Sequence, residues 1–267
     1  MSTPSAQASR SARQRTILDH VLETGTATAA ELADRTGRSL MTIHRDLEDL
    51  ANRQLLRKFH GGVSALPTSV FESSSDFRLH RRAEEKRALA AVAAGFVEPG
   101  MSVMLDDSTT VLALAPLLKE RAPLTVVTNY RQVLDVLADA ADVRLIILGG
   151  QYSRTHDSFI GAPDQTNVGA YAVDVTFQST STMDAATTYH QEQDIVSMKR
   201  VMLACGTRRV LMMDSSKVGH TALHRYVPVA DFTDVILTDD VPGVIADGVA
   251  DRTRLHLAAI DRSGTIR

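Results

Sequence analysis

Apolar positions in the segment 39–56, SLMTIHRDLEDLANRQLL, recur at helical spacing. Leu40, Ile43, Leu47 and Leu50 are three or four residues apart, so they form one stripe of an α-helix that must be buried against a neighbour. The remaining positions are mostly polar or charged. The pattern therefore predicts an amphipathic helix with one face in a core and one face left for a partner.

Two helices and a hairpin are predicted around this segment. The helix over 12–25 ends at a glycine, and the next begins at Thr28, where Glu31 three residues later completes a capping box. After residue 53 the chain alternates and carries Gly61-Gly62, a pair suited to a hairpin turn. Three helices followed by a basic hairpin are the order of a winged helix-turn-helix.

Beyond this unit the sequence predicts first a linker and then a second domain. Residues 67–77 are rich in Ser and Pro, which indicates a linker between a domain at 10–66 and one at 78–267. A long helix is expected first, and then strands alternate with amphipathic helices, which predicts an α/β domain with a mainly parallel sheet. Seven apolar runs are the expected strands: 102–106, 124–129, 143–150, 173–177, 208–214, 234–239 and 254–260.

Composition and charge set limits on the kind of protein. The 267 residues are 44% hydrophobic with a net charge of −3. The first 66 residues carry +2 and the rest −5, which permits an anionic partner at the N-terminal domain. Cys205 is the only cysteine, residues 1–9 look like a disordered polar tail, and no apolar run could cross a bilayer. A cytoplasmic protein is expected.

The polar face of the third predicted helix is suited to DNA. In a helix-turn-helix the second helix of the pair enters the major groove, and its first residues meet base edges. An arginine there can donate two hydrogen bonds to guanine, although Arg45 could instead pair with Asp49 on an ordinary solvated face. The candidate DNA-binding residues are Thr28, Ser39, Thr42, His44 and Arg45, with Arg57, Lys58 and His60 on the wing.

Polar residues follow several predicted strands of the second domain. The stretch LDDSTT places hydroxyls and unpaired backbone N–H groups at a helix start, which can bind phosphate, and open α/β sheets bind ligands where parallel strands end. A plain helix cap explains the same residues as well. The candidate ligand-binding residues at strand ends are Asp106, Asp107, Ser108, Thr109, Thr110, Thr128, Asn129, Gly149, Gly150, Asp214 and Lys217.

The motifs TIHRDLEDL and LLRKFHGG resemble the signature of DeoR-family bacterial transcription regulators, with His44 where the family usually has arginine. The second half is similar to the family's sensor domain through DDSTT, TN, GG, the element from Ser158 to Gly161, Lys199 and DSSK. The resemblance implies a ribose-5-phosphate-isomerase-like fold and a phosphorylated sugar or related metabolite as effector. It adds Lys199 to the effector-binding residues.

These features are consistent with two functions. The first is a transcription regulator, acting as a repressor of a carbohydrate-use operon, that binds double-stranded operator DNA as a homodimer or homotetramer without enzyme activity, cofactor or metal. The second is a sugar-phosphate isomerase-like enzyme with an accessory N-terminal domain, in which Asp106, Asp184, Lys199 and Lys217 would be acid–base groups. The reading helix and wing favour the regulator, because an isomerase has no use for them.

Overall fold

The computed structural model describes residues 10, 12–14, 16–18, 20–21, 24–52, 55–65, 75–161 and 168–261. The chain divides into two compact units between Ser73 and Ser74. The tail at 1–9 and most of the predicted linker lie outside the described residues.

The N-terminal unit has the predicted order of helices and hairpin. Its described residues between 10 and 24 are helical, and this helix is α1. Gly25 follows the helix as a bend. The other elements are β1 (Thr26–Thr28), α2 (Ala29–Thr36), α3 (Leu40–Asn52), β2 (Arg57–Phe59) and β3 (Gly62–Ser64).

The second helix begins and ends as the sequence predicts. The Thr28 backbone N–H donates to Glu31 Oε2 over 2.7 Å, and the Glu31 N–H donates back to Thr28 Oγ1 over 3.2 Å. Gly37 ends the helix in the left-handed region with φ of 63°, where glycine carries no steric penalty. This short turn sets α3 against α2.

The wing is a three-stranded sheet with the order β1-β3-β2, and strand β1 was not predicted. Gly61 turns the hairpin with φ of 87°. A Cβ on Gly62 would lie 2.5 Å from the backbone oxygen of Ala27 in β1, so β1 can approach β3 only because residue 62 is glycine.

The predicted apolar stripe of α3 is correct at three of its four positions. Ile43, Leu47 and Leu50 are buried, but Leu40 is 51% exposed. Helical side chains point back toward the N-terminus. Leu40 is the first residue of the helix, so its side chain projects past the helix end into solvent.

All seven predicted strands form one sheet in the second unit, and every pairing in it is parallel. The strands are β4 (Ser102–Leu105), β5 (Leu124–Thr128), β6 (Val143–Ile147), β9 (Val173–Gln178), β12 (Gly206–Met213), β14 (Asp234–Thr238) and β15 (Arg254–Ala258). Their spatial order is β15-β14-β12-β9-β4-β5-β6, so the order in which strands are added reverses between β4 and β9. Ligands of open α/β sheets bind at such a switch point.

Helices flank this sheet. The single long helix expected after the linker is two helices, because Arg82 adopts a left-handed conformation with φ of 56°. The first of them begins at Ser75, inside the predicted linker, and the Ser75 N–H donates to Thr155 O over 2.8 Å. The helices are α4 (Ser75–His80), α5 (Ala83–Ala94), α6 (Thr109–Leu112), α7 (Ala115–Leu118), α8 (Arg131–Leu137), α9 (Gln193–Ala204) and α10 (Gly243–Ala250).

Two small antiparallel sheets were not predicted. The first is the hairpin of β7 (Gln151–Ser153) and β8 (Ser158–Ile160), and the second joins β10 (Thr182–Met183), β11 (Thr187–His190) and β13 (His224–Pro228). The first hairpin lies beside the end of β5, where Phe159 N donates to Asn129 O over 2.9 Å. It thereby brings polar residues from the 151–160 segment to the strand ends.

Candidate functional site

The exposed face of α3 carries the residues expected to meet DNA. His44 and Arg45 are exposed, and Ser39 precedes the helix with its Oγ 3.0 Å from Thr42 Oγ1. The Thr42 N–H also donates to Ser39 Oγ over 3.4 Å. Ser39 therefore caps the first turn, and the polar side of the helix stays open within this unit.

Two aspartates of α3, Asp46 and Asp49, hold this helix against α1. Asp46 is 1% exposed and accepts hydrogen bonds from Arg13 Nε over 2.5 Å and from Gln14 Nε2 over 3.3 Å. Asp49 accepts from Gln14 Nε2 over 2.9 Å and lies 3.4 Å from Arg10 Nη2. Asp49 thus has partners on α1, whereas the alternative drawn from the sequence pairs it with Arg45.

The wing residues are also accessible. Arg57, Lys58 and His60 are exposed on the β2–β3 hairpin, and Thr28 is exposed at the start of α2. Cations at these positions are suited to phosphate contacts, which give affinity but little sequence information. All eight candidate DNA-binding residues therefore lie on the small unit, seven of them exposed and Thr42 half-buried.

A buried ion cluster lies where β4 and β9 end. Asp106 is fully buried, and its carboxylate accepts hydrogen bonds from the Ser108 N–H over 3.0 Å, the Ser179 N–H over 3.0 Å and the Lys199 ammonium. Lys199 Nζ also lies 3.2 Å from Asp107 Oδ1. Burial acts to lower the pKa of Lys199, but the two carboxylates outweigh it and raise that pKa.

The second carboxylate of the cluster extends it to β8. Asp107 Oδ2 accepts from Ser158 Oγ over 2.8 Å. Burial acts to raise the pKa of Asp107, but the charges of Lys199 and His156 outweigh burial, so the pKa lies below its usual range. The carboxylate therefore stays ionised at neutral pH and holds β8 against the end of β4.

Lys217 reaches the same region from the segment after β12. Its ammonium donates to Thr110 Oγ1 over 3.0 Å and to Ser179 Oγ over 3.1 Å. Asp214 Oδ2 lies 3.9 Å away, beyond hydrogen-bond distance. Burial lowers the pKa of Lys217 and outweighs the charge of Asp214, which acts to raise it. The ammonium therefore has hydroxyl groups as its hydrogen-bond partners and Asp214 only as a longer-range ion pair.

A second lysine, which the sequence did not single out, lies beside these hydroxyls. Lys86 of α5 is 5% exposed, and its ammonium donates to Thr109 Oγ1 over 3.0 Å and to the Arg78 carbonyl. Burial and the neighbouring Lys217 charge lower the pKa of Lys86 to about 7. In the sequence Lys86 follows two glutamates, a pattern typical of a solvated helix face, so only the fold shows its position.

The residues at the end of β5 reach the cluster indirectly. Thr128 Oγ1 accepts from the Tyr130 N–H over 3.1 Å, and Asn129 Nδ2 donates to Phe159 O over 3.1 Å. Asn129 is 1% exposed, and its Oδ1 has no hydrogen-bond partner among the described residues. Such an acceptor is costly to leave unsatisfied and is suited to a ligand hydroxyl.

Three predicted or alternative residues stand apart from these contacts. Gly149 and Gly150 are exposed after β6, at the entry to the β7–β8 hairpin. Asp184 accepts from Tyr189 OH and from the N–H groups of Ala186 and Thr187, over 2.7 to 2.8 Å, and so closes the β10–β11 turn. Its contacts are those of a structural residue and are separate from Asp106.

Within the described ranges, His, Cys, Asp and Glu side chains form no group of three that could hold a metal ion. Over the same ranges, no helix is long and apolar enough to span a membrane.

Comparison with known proteins agrees with both units. Residues 13–69 match the DeoR-like helix-turn-helix domain, and residues 81–240 match the DeoR C terminal sensor domain. The chain belongs to the DeoR family of transcriptional regulators. The resemblance seen in the motifs, the two-domain α/β fold with its parallel sheet, and the regulator function are thereby confirmed.

The DeoR family relatives extend over most of the chain. The Escherichia coli regulator YgbI, itself uncharacterized, is 33% identical over 86% of this chain and 90% of its own length. The L-fucose operon activator of Haemophilus influenzae is 31% identical over 84% and 88%. The glycerol-3-phosphate regulon repressor of Escherichia coli is 28% identical over 87% and 92%.

Among solved structures, ribose 5-phosphate isomerase A from Methanocaldococcus jannaschii covers 51% of this chain and 54% of its own, with 15% identity and a TM-score of 0.38. A likeness of that size carries no information about activity.

Proposed function

We propose that this DeoR-family protein represses a carbohydrate-use operon, binds double-stranded operator DNA through α3 and the wing, and changes its operator affinity when a phosphorylated sugar occupies the sheet end. It binds as a homodimer or homotetramer, because two-fold operators require paired reading heads. The relatives named for a fucose operon and a glycerol-3-phosphate regulon support this substrate class.

One observation carries the effector half of the proposal. The Lys217 ammonium lies among the hydroxyls of Thr110 and Ser179 and beyond hydrogen-bond distance of Asp214. A phosphate group would accept from these hydroxyls and neutralise the charges of Lys217 and Lys86, which repel each other. Asn129 Oδ1 could accept a hydrogen bond from a sugar hydroxyl at the β5 end.

The proposal excludes enzyme activity. Aldose–ketose interconversion needs a carboxylate that can reach the sugar carbons and exchange a proton. Asp106 already accepts from Lys199, Ser108 and Ser179, and Asp184 is used in a turn. The cluster is therefore suited to holding a ligand rather than to moving protons.

Replacing Arg45 tests the DNA half. Arg45→Ala is expected to weaken specific binding to DNA from upstream of the protein's own gene by about 1–3 kcal/mol, because one bidentate base contact is lost. Gel-shift titration at fixed salt measures this. Arg252→Ala, which removes a charge from the other unit, is the matched control and should leave the affinity unchanged. Equal affinity of wild-type and Arg45→Ala protein would refute the groove assignment.

Replacing Lys217 tests the effector half. A thermal-shift screen against sugar phosphates should find a compound that raises the melting temperature, because a ligand of the native state stabilises it. Lys217→Ala is expected to need a more than tenfold higher ligand concentration for the same shift in melting temperature. Its DNA affinity should stay as in wild type. Lys119→Ala, which removes an exposed lysine paired with Asp139, should respond like wild type. A normal response of Lys217→Ala would remove Lys217 from the site.

A further inference from the structure

A large apolar side chain lies at the centre of the exposed face of α3. Met41 is 68% exposed. It is four residues before Arg45 and seven before Glu48, so these three lie within about 60° of one another around the helix axis. Both of those charged residues are exposed. The face that would enter a groove therefore combines one apolar side chain with two charged ones.

Packing within the N-terminal unit gives no reason for this methionine. The core face of α3 consists of Ile43, Asp46, Leu47 and Leu50, which lie on the opposite side of the helix from Met41. The neighbouring Thr42 is half-buried and bonded to Ser39. Met41 thus lies on the side of α3 that is solvent-accessible and in its first turn, where reading helices contact base edges.

Two arginines near Met41 favour nucleic acid as the partner of this face, which also carries Glu48. Arg38 precedes it by three residues and Arg45 follows by four, and both are exposed. A cation on each side is complementary to the phosphates that border a groove. In the major groove only thymine presents an apolar group, its 5-methyl, and a flexible thioether side chain can pack against it.

We propose that Met41 is a specificity-determining residue that contacts the 5-methyl group of one thymine in each operator half-site. This inference rests on the proposed DNA-binding function. Arg45 on the same face then reads a neighbouring base pair, and Met41 disfavours cytosine or guanine at its own position, where a polar base edge would be buried against a thioether. The pair would together define adjacent positions of the operator.

Uracil substitution tests the contact, because it removes only the methyl group. The probe is a DNA duplex from upstream of the protein's own gene, first footprinted, in which each thymine of a half-site is replaced in turn by uracil. Wild-type protein should lose affinity about fourfold at one position per half-site, which corresponds to about 0.8 kcal/mol for one buried methyl group. Met41→Ala should bind the thymine and uracil duplexes equally at that position.

A matched control separates this effect from general loss of an exposed side chain. Leu223 in the second unit is also 68% exposed, and Leu223→Ala should retain the uracil penalty of wild type. Alanine favours helix, so Met41→Ala is expected to fold, and circular dichroism checks this. If wild-type protein binds specifically with no uracil penalty anywhere, or if Met41→Ala keeps the penalty, the inference is overturned. If wild-type protein shows no specific binding, the proposed function itself fails and this inference with it.

Discussion

Lys199→Met is expected to destabilise the α/β unit by about 3–5 kcal/mol at pH 7, because it leaves the buried carboxylates of Asp106 and Asp107 without their cation. The three side chains are at most 4% exposed, so water cannot replace the lost ammonium. Urea unfolding followed by circular dichroism measures the change. Met is close to Lys in length, which limits the effect of an empty cavity.

The destabilisation should depend on pH in a defined direction. The folded-state pKa of Asp107 is lowered, so the stability it contributes is present above its unfolded pKa near 3.9 and is lost as pH falls through the folded value. In Lys199→Met the carboxylates can relieve their burial only by protonation. The difference in unfolding free energy between wild type and Lys199→Met should therefore narrow from pH 7 to pH 5.

An exposed lysine provides the control for this prediction. Lys119 pairs with Asp139 across 2.6 Å, but the two side chains are 37% and 79% exposed. Lys119→Met should change the unfolding free energy little at either pH, because water screens exposed pairs. Equal losses in the two variants, or a difference that widens on acidification, would show that Asp106 and Asp107 do not depend on Lys199.

The pH prediction rests on an ion cluster that the sequence located only in part. Asp106, Asp107 and the hydroxyls after them could be predicted, because polar residues at the ends of apolar runs converge in a parallel sheet. Lys199 came only from family resemblance, and Lys86 was missed. A lysine within an amphipathic helix has the same local pattern whether it is solvated or turned into a site, so only tertiary packing distinguishes the two.

The elements of the fold also divide into those that the local sequence predicts and those that it does not. All seven strands of the main sheet were predictable, because strands covered on both faces are dense in Val, Ile and Leu. The β7–β8 hairpin and the β10–β11–β13 sheet were missed, since their strands of two to five residues are polar or mixed. The break at Arg82 was also missed, because a left-handed arginine inside a helical pattern has no sequence signal.

Two substitutions in α3, Ile43→Ala and Leu40→Ala, are expected to differ in their effect on the stability of the winged unit. Ile43 is fully buried, and Ile43→Ala should cost about 2–5 kcal/mol from lost burial and the cavity left behind. A unit of this size has a total stability of about 3–5 kcal/mol. The variant should therefore lose specific DNA retention at 37 °C and unfold its first unit at a lower temperature, while the melting of the α/β unit stays as in wild type.

Leu40→Ala is the companion variant, because Leu40 belongs to the same apolar stripe of α3 but is exposed. The periodic pattern assigns Leu40 the same buried face as Ile43, which would make the two substitutions equally harmful. The structure leaves Leu40 51% exposed at the first turn, so Leu40→Ala should change stability by less than about 0.5 kcal/mol. Differential scanning calorimetry of both variants measures this. A similar loss in both would show that α3 begins earlier or packs more deeply, and with Leu40 covered, less of its first turn would remain open for DNA.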